Sequence, residues 1–267
     1  MAWNLERGLA FARQRDLLLH DPDLAGADVY LLPEADRGCT RTGGRHVARE
    51  LAEALGCAWA FAAQYVELPR RARRARDRVD HPCLHGPAVL SRWPVVAARE
   101  LRHPRAASWR ASRREPRVGG AVTVVCDLDV AGAPLRACAV HLDSRLSGRP
   151  FRRAQAQDLA QDARTAPGPV VLGGDFNCYA YGLDLWLGTR LDATLPPLRA
   201  AGLRDAHAGL PPWRRATTDR SHGVRGVIDL VLARGLAVEA AGVVPARRAG
   251  GLSDHLPVWA RFAWPPA

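Results

Sequence analysis

Apolar residues fall in short runs divided by turn-forming residues, and the period of each run predicts its element. Asp28-Val29-Tyr30-Leu31-Leu32 is an unbroken run of strand length, which predicts a buried strand. From Arg45 to Leu55 the period becomes helical: Val47, Ala48, Leu51, Ala52 and Leu55 share one face, and Gly56 supplies the stop. Residues 58–66 read as strand again. Further strands are expected at 88–90, 118–128 and 135–142, with the turn-rich 129–134 joining the last two as a hairpin. Residues 151–164 read as a helix, with Ala156, Leu159, Ala160 and Ala163 on one face. Val170-Val171-Leu172 is a short buried strand ending in Gly173-Gly174, and 191–201 reads as a looser helix. The tail offers strands at 227–232, 236–244 and 257–262. Strands outnumber helices and several are adjacent hairpins. That pattern predicts an α/β (α+β) fold with sheets packed face to face and helices outside, rather than a doubly wound parallel sheet.

No repeat and no Gly/Ser linker divides the 267 residues, so 1–267 is expected to be a single domain. No apolar run approaches the ~18 residues that span a bilayer. The opening Met1-Ala2-Trp3-Asn4-Leu5-Glu6-Arg7-Gly8 lacks a basic head followed by an apolar stretch, so it does not read as a signal peptide. A soluble, cytoplasmic monomer is expected. Six cysteines (Cys39, Cys57, Cys83, Cys126, Cys138 and Cys178) contain no C-x-x-C pair, which argues against a zinc ribbon and predicts six reduced, mostly buried thiols. Cys178 stands out because it adjoins a motif described below.

Formal net charge is +11, and all 38 basic side chains are Arg. Such a surface attracts polyanions, although abundant Arg and Ala with no Lys also fits the imprint of a G+C-rich genome. Two Arg-dense stretches, 70–78 and 102–117, read either as solvated loops or as a phosphate-attracting rim in which Trp109 stacks on a base or enters lipid.

Candidate chemistry lies at the ends of predicted strands. Glu34 follows the strand at 29–32, His141 closes the strand at 135–142, and Asp175 and Asn177 follow the strand at 170–172. Asp229 sits in Val227-Ile228-Asp229-Leu230-Val231, and Asp254 and His255 precede the last strand. Strand ends let residues distant in sequence converge on one site. Singly, each is an ordinary turn or surface residue; the ordered set carries the signal.

That set resembles the endonuclease/exonuclease/phosphatase superfamily. The matching segments are Trp3-Asn4-Leu5, Leu32-Pro33-Glu34, Val140-His141-Leu142, Gly173-Gly174-Asp175-Phe176-Asn177, Ile228-Asp229-Leu230-Val231 and Ser253-Asp254-His255-Leu256-Pro257. Gly86-Pro87-Ala88-Val89-Leu90-Ser91-Arg92-Trp93-Pro94 is similar to a strand and turn seen in many members, although many relatives have Asn where this chain has Pro87. The resemblance implies a four-layer sandwich of two packed mixed β-sheets flanked by helices. It also implies a divalent-metal-dependent phosphodiesterase or phosphatase, with a DNA or RNA nuclease as the alternative within the superfamily. A non-catalytic binding module of the same fold is the alternative of another class, against which the intact carboxylates and histidines speak. Glu34 would be the main ligand for Mg²⁺ or Mn²⁺, with Asn4 and Asp254 nearby. Asp175 would orient and deprotonate the attacking water, Asn177 would hold the phosphate, and His141 would donate to a phosphate oxygen. Asp229 would orient His255, and either Asp175 or His255 takes the proton. The substrate would be a phosphate ester, with nucleic acid and a phospholipid head group both open. A zinc hydrolase is not expected, because the nine histidines are scattered and show no H-x-x-x-H spacing on a helix.

Overall fold

The computed structural model describes residues 1–68, 83–110, 112, 116–178, 193–219 and 226–264, without the side chains of 145–149 and 212. In chain order the elements are α1 (Phe11–His20), β1 (Val29–Arg37), α2 (Val47–Leu55), β2 (Ala58–Phe61), β3 (Tyr65–Glu67), β4 (Cys83–Ser91), β5 (Val95–Arg102), β6 (Arg117–Gly119) and β7 (Val122–Val130). There follow β8 (Ala133–His141), α3 (Arg145–Arg164), β9 (Val170–Asp175), α4 (Leu195–Ala200), β10 (Arg204–Asp205), β11 (Asp229–Arg234), β12 (Ala237–Val243), α5 (Ala246–Ala249) and β13 (Val258–Ala263).

The first sheet runs β1-β4-β3-β6, with β2 also paired to β4. The second runs β10-β11-β9-β8-β7-β5. The antiparallel β12–β13 pair joins the first sheet through Ala2, which bridges Val258 on one side and Leu31 on the other. Among the described residues only α3 is long enough to carry the chain back over a sheet, and it connects the parallel neighbours β8 and β9.

Side-chain alternation sorts each buried strand into two layers. On β1, Leu31 enters the core between the sheets, whereas Tyr30 and Leu32 join Phe11, Leu18, Val47 and Leu51 under α1 and α2. On β8, Ala137 and Ala139 face the opposite sheet, whereas Cys138 and Val140 pack beneath α3 and α4. The result is four layers: helices, sheet, sheet, helices. This is why β1 and β8 read as continuous apolar runs, since both of their faces are covered. Truncating Leu31 to Ala would cost ~2–5 kcal/mol.

Gly173 and Gly174 set how closely β9 approaches its neighbours. A Cβ on Gly173 would lie 2.6 Å from Leu31 Cδ1. One on Gly174, at φ 133°, would lie 2.2 Å from the Val140 carbonyl oxygen. The glycine pair therefore draws Asp175 in toward β1 and β8.

Several expectations need correction. The strand expected over 118–128 is two strands in different sheets, β6 and β7, parted at Gly119-Gly120. The strand at 58–66 divides into β2 and β3, both paired with β4. α3 begins before Phe151, with Pro150 inside its opening turns. The looser helix is confined to Leu195–Ala200, while 191–192 lie outside the described residues. α1 and β5 were not foreseen. The Arg-rich stretch 70–78 also lies outside the described residues.

Nor are all six cysteines free thiols. Cys39 and Cys83 form a disulfide. Arg37 and Leu84 are register partners on β1 and β4, so the residues just beyond them meet although 44 positions separate them in sequence. Cys57, Cys126, Cys138 and Cys178 are in no disulfide, and Cys178 is buried in the core beneath α3 and α4. Among the described residues no helix is long and apolar enough to cross a membrane.

Candidate active site

Six segments meet here: the opening residues around Asn4, the bulge in β1, the ends of β8 and β9, the start of β11 and the turn before β13. Glu34 lies at a bulge in β1, between Leu32 and Ala35, and its φ of 56° is left-handed. Asn177, two residues past Asp175, has a φ of 50°. Non-glycine residues in this region cost about 1–3 kcal/mol each, and such strain clusters at functional sites.

His141 and Asp175 are register partners on the parallel pair β8–β9, and Asp175 is in turn opposite Asp229 on β11. Asn4 Nδ2 donates to Asp175 Oδ2 at 3.2 Å, and the Asn177 amide donates to Asp175 Oδ1 at 2.8 Å. Asn177 Nδ2 donates to the Leu142 carbonyl at 2.9 Å. The Ser253-Asp254-His255 turn is stapled to the opening segment: Trp3 Nε1 donates to the His255 carbonyl, and Ser253 Oγ donates to the Asn4 carbonyl. The Trp-Asn pair thus anchors the turn that carries His255.

His255 Nδ1 meets Asp229 Oδ2 at 2.8 Å. Its Nε2 lies 3.8 Å from both Asp175 Oδ2 and Asp254 Oδ1. His141 Nε2 is 3.6 Å from Glu34 Oε1 and 3.8 Å from Asp175 Oδ2. All eight residues named from the sequence (Asn4, Glu34, His141, Asp175, Asn177, Asp229, Asp254 and His255) are therefore linked by direct contacts into one cluster.

Burial and charge pull their protonation apart. Burial disfavours charge on His255, but Asp229, Asp175 and Asp254 outweigh it and hold the imidazolium well above the ordinary histidine range. Burial lowers His141 to about 4, against the opposing pull of Glu34. Burial also raises Asp175 to about 7, with His255 opposing and Asp229 and Glu34 adding to the rise. Glu34 is likewise penalised by burial, yet His85, His141, Arg7 and His255 hold it well below the usual carboxylate range. Glu6 is raised by burial, with Asp254 and Glu34 adding to it.

The sequence reading missed several neighbours. His85 on β4 is wholly buried, with Nδ1 3.1 Å from Asp36 Oδ1 and Nε2 4.0 Å from Glu34 Oε2. Arg41 grips Asp36 with two hydrogen bonds, at 2.6 and 2.8 Å. Gln64 Oε1 pairs with His141 Nδ1 at 3.1 Å. Trp109 packs on Arg117, whose guanidinium lies 4.2 Å from the Trp109 ring centre and 4.1 Å from that of Tyr65. One signal was available for His85: Asp36 is two residues past Glu34, and strand pairing to a His would place an imidazole beside both.

A sequence profile of the Endonuclease/Exonuclease/phosphatase family matches residues 1–255. The chain belongs to this family. Its members include nucleases, phosphatases and phosphodiesterases, hydrolases that act on phosphate esters. No curated protein matches the sequence. Among solved structures, an endonuclease/exonuclease/phosphatase from Beutenbergia cavernae superposes with a TM-score of 0.67 at 19% identity, covering 96% of this chain and 69% of that one. The human Nocturnin catalytic domain with bound sulfate gives 0.61 at 19% identity over 98% and 93% of the two chains. Sphingomyelinase C from Streptomyces griseocarneus gives 0.60 at 19% identity over 97% of each. At these identities the likeness is one of fold.

Proposed function

We propose that this chain is a single-domain, monomeric, divalent-metal-dependent phosphodiesterase or phosphatase that drives water onto a phosphate ester. The observation that carries this reading is the convergence of Glu34, His141, Asp175, Asp229 and His255, from five separate segments, into one chain of ion-pair contacts: Glu34–His141, His141–Asp175, Asp175–His255 and His255–Asp229.

The residues fit a hard cation. Glu34, Glu6 and Asp254 bring like charge together, and the raised Glu6 carboxyl reflects that repulsion as well as burial. Glu34, with Asn4 and Asp254, would hold Mg²⁺ or Mn²⁺, which when bound neutralises charge on the phosphate oxygens. Asp175 is held on both oxygens, by Asn4 and by the Asn177 amide, and so is fixed in place to orient a water and accept its proton. His255 stands 3.8 Å away, oriented by Asp229, as the other candidate acceptor or as a positive charge facing the reacting phosphate. Asn177 is placed to hold the phosphate. His141 donates to a phosphate oxygen only when Nε2 carries a proton.

The reading is tested with a panel of plasmid DNA, single-stranded DNA, RNA, sphingomyelin and inositol phosphates, each with magnesium and with EDTA. Metal-dependent release of phosphate or a phosphomonoester from at least one substrate is expected; no turnover of any would overturn the reading. The net charge of +11 favours a nuclease as the second reading, which cleavage of the nucleic acids alone would establish. The cytoplasmic placement rests on the sequence, and the Cys39–Cys83 bridge weighs against it, since such bridges persist in oxidising compartments.

A further inference from the structure

His85 takes no part in the reaction just proposed, yet it is the most completely enclosed imidazole beside Glu34. Its Nδ1 faces Asp36 Oδ1 at 3.1 Å, and Asp36 is itself fixed by Arg41. A carboxylate only accepts, so Nδ1 carries the proton and directs Nε2 toward Glu34. Nε2 is buried and has no hydrogen-bond partner among the described residues. At 4.0 Å from Glu34 Oε2 it is beyond hydrogen-bond distance. His141 repeats the arrangement: Nδ1 is engaged by Gln64 Oε1, and Nε2 lies 3.6 Å from Glu34 Oε1. The two rings stand 6.4 Å apart at 77°, so both nitrogens point to one space from different directions. One ligand atom from each of Glu34, His85 and His141 lies within 4.8 Å of the others. Ligands bound to one ion at about 2.0–2.2 Å sit roughly 3–4 Å from each other, so sub-ångström side-chain shifts suffice to close the set.

We infer that Glu34, His85 and His141 form a site for a nitrogen-preferring divalent transition ion, of which zinc and cobalt are the probes, in preference to magnesium. The inference rests on the proposed reading of Glu34 as a metal-binding carboxylate; it adds His85 and His141 as ligands and so replaces the phosphate-donor role of His141 Nε2. Two imidazoles and one carboxylate suit first-row transition ions, whereas magnesium prefers an all-oxygen shell with retained waters. Three protein ligands leave open positions for a water and a phosphate oxygen. The supporting contacts match those that commonly orient metal-binding imidazoles: Asp36 behind His85 and Gln64 behind His141. β1 and β4 hold Asp36 opposite His85 in register, and the Cys39–Cys83 bridge closes that end of the pair.

The test loads the metal-free full-length chain with zinc, cobalt or magnesium, measures affinity by calorimetry, and counts imidazoles on bound zinc by X-ray absorption. Two imidazoles are expected on zinc in the wild type. His85→Gln should remove one of them and weaken zinc and cobalt binding by about 10–100-fold, and Asp36→Asn should weaken it within the same range. Magnesium affinity should change by less than about threefold in His85→Gln, because an oxygen-preferring ion gains little from an imidazole. Circular dichroism establishes that each variant is folded, and the wild-type imidazole count stands independently of them. One imidazole or none on wild-type zinc, or wild-type zinc affinity in folded His85→Gln, would overturn the inference. A chain with two imidazoles on zinc that cleaves no phosphate ester would keep this site and lose the proposed function. A magnesium-dependent phosphoesterase without imidazoles on zinc would do the reverse.

Discussion

Two carboxylate–imidazole pairs flank the site, one on each sheet, and they differ in the company they keep. Asp229 holds His255 at 2.8 Å, and Asp36 holds His85 at 3.1 Å. Asp36 is also gripped by Arg41, so its charge is matched and it chiefly orients the ring. Around His255 there are three carboxylates, Asp229, Asp175 and Asp254, and their surplus charge keeps a proton on the imidazole despite burial. The same two side chains thus supply a charged group on one side of the site and, in our proposal, an aimed electron pair on the other. The third partner sets the chemistry, not the pair.

The most damaging break should fall on the charged side. Asp229→Asn is isosteric and should leave the fold intact while slowing turnover ~10²-fold or more, because an amide neither fixes the tautomer nor supports the imidazolium. His255→Ala should cost at least as much, and the double variant little more than His255→Ala alone. Fully multiplicative losses in kcat/KM would show that the two act independently.

On the other side, the Cys39–Cys83 bridge ties the end of β1 to the start of β4. Replacing both cysteines by Ser should cost ~2–4 kcal/mol of stability, read from the guanidinium midpoint, and reductant should reproduce the loss in the wild type. Identical midpoints with and without reductant would show that the bridge does not form in solution.

Glu34 lies between the pairs. Glu34→Gln removes an anionic ligand and should raise the magnesium concentration for half-maximal turnover by about tenfold or more. An unchanged requirement would remove Glu34 from the metal site.

A third buried imidazole serves as a control. His103 meets the partly exposed Asp158 at 2.9 Å, and burial lowers its pKa against the opposing pull of Asp158, with Asp143 adding to it. The unfolded chain therefore binds the proton more readily. The contribution of a neutral His103 is present above its ordinary value of 6.5 and is lost as pH falls through the lower folded value. Urea midpoints taken between about pH 7.5 and 5 should fall less for His103→Gln than for the wild type. Parallel curves would mean that Asp158 and Asp143 together offset burial, as the three carboxylates do around His255.

What the sequence revealed follows the same division. Asp229, Asp254, His255, Asp175 and Asn177 lie in compact motifs at strand ends, so their order alone located them. Asp36 and His85 are 49 positions apart, and only strand register makes them neighbours. α1 escaped because its buried face, Phe11, Gln14 and Leu18, contains a glutamine. That side chain is buried because it donates to the Leu5 and Leu252 carbonyls, a long-range reason invisible in a hydrophobic pattern. The break between β6 and β7 was hidden because apolar residues on both sides of Gly119-Gly120 continue one alternation while the chain changes sheets.

Hydrolysis of phosphate esters by the converged carboxylates and imidazoles with a divalent metal is tested by the turnover of bis-p-nitrophenyl phosphate by the wild type and by Asp175→Asn, with magnesium or manganese and with EDTA. Metal-dependent release of p-nitrophenol by the wild type is expected, abolished by EDTA, restored by added metal, and reduced ~10²-fold or more in folded Asp175→Asn. Wild-type turnover that persists in EDTA, or an Asp175→Asn variant as active as the wild type, would contradict it.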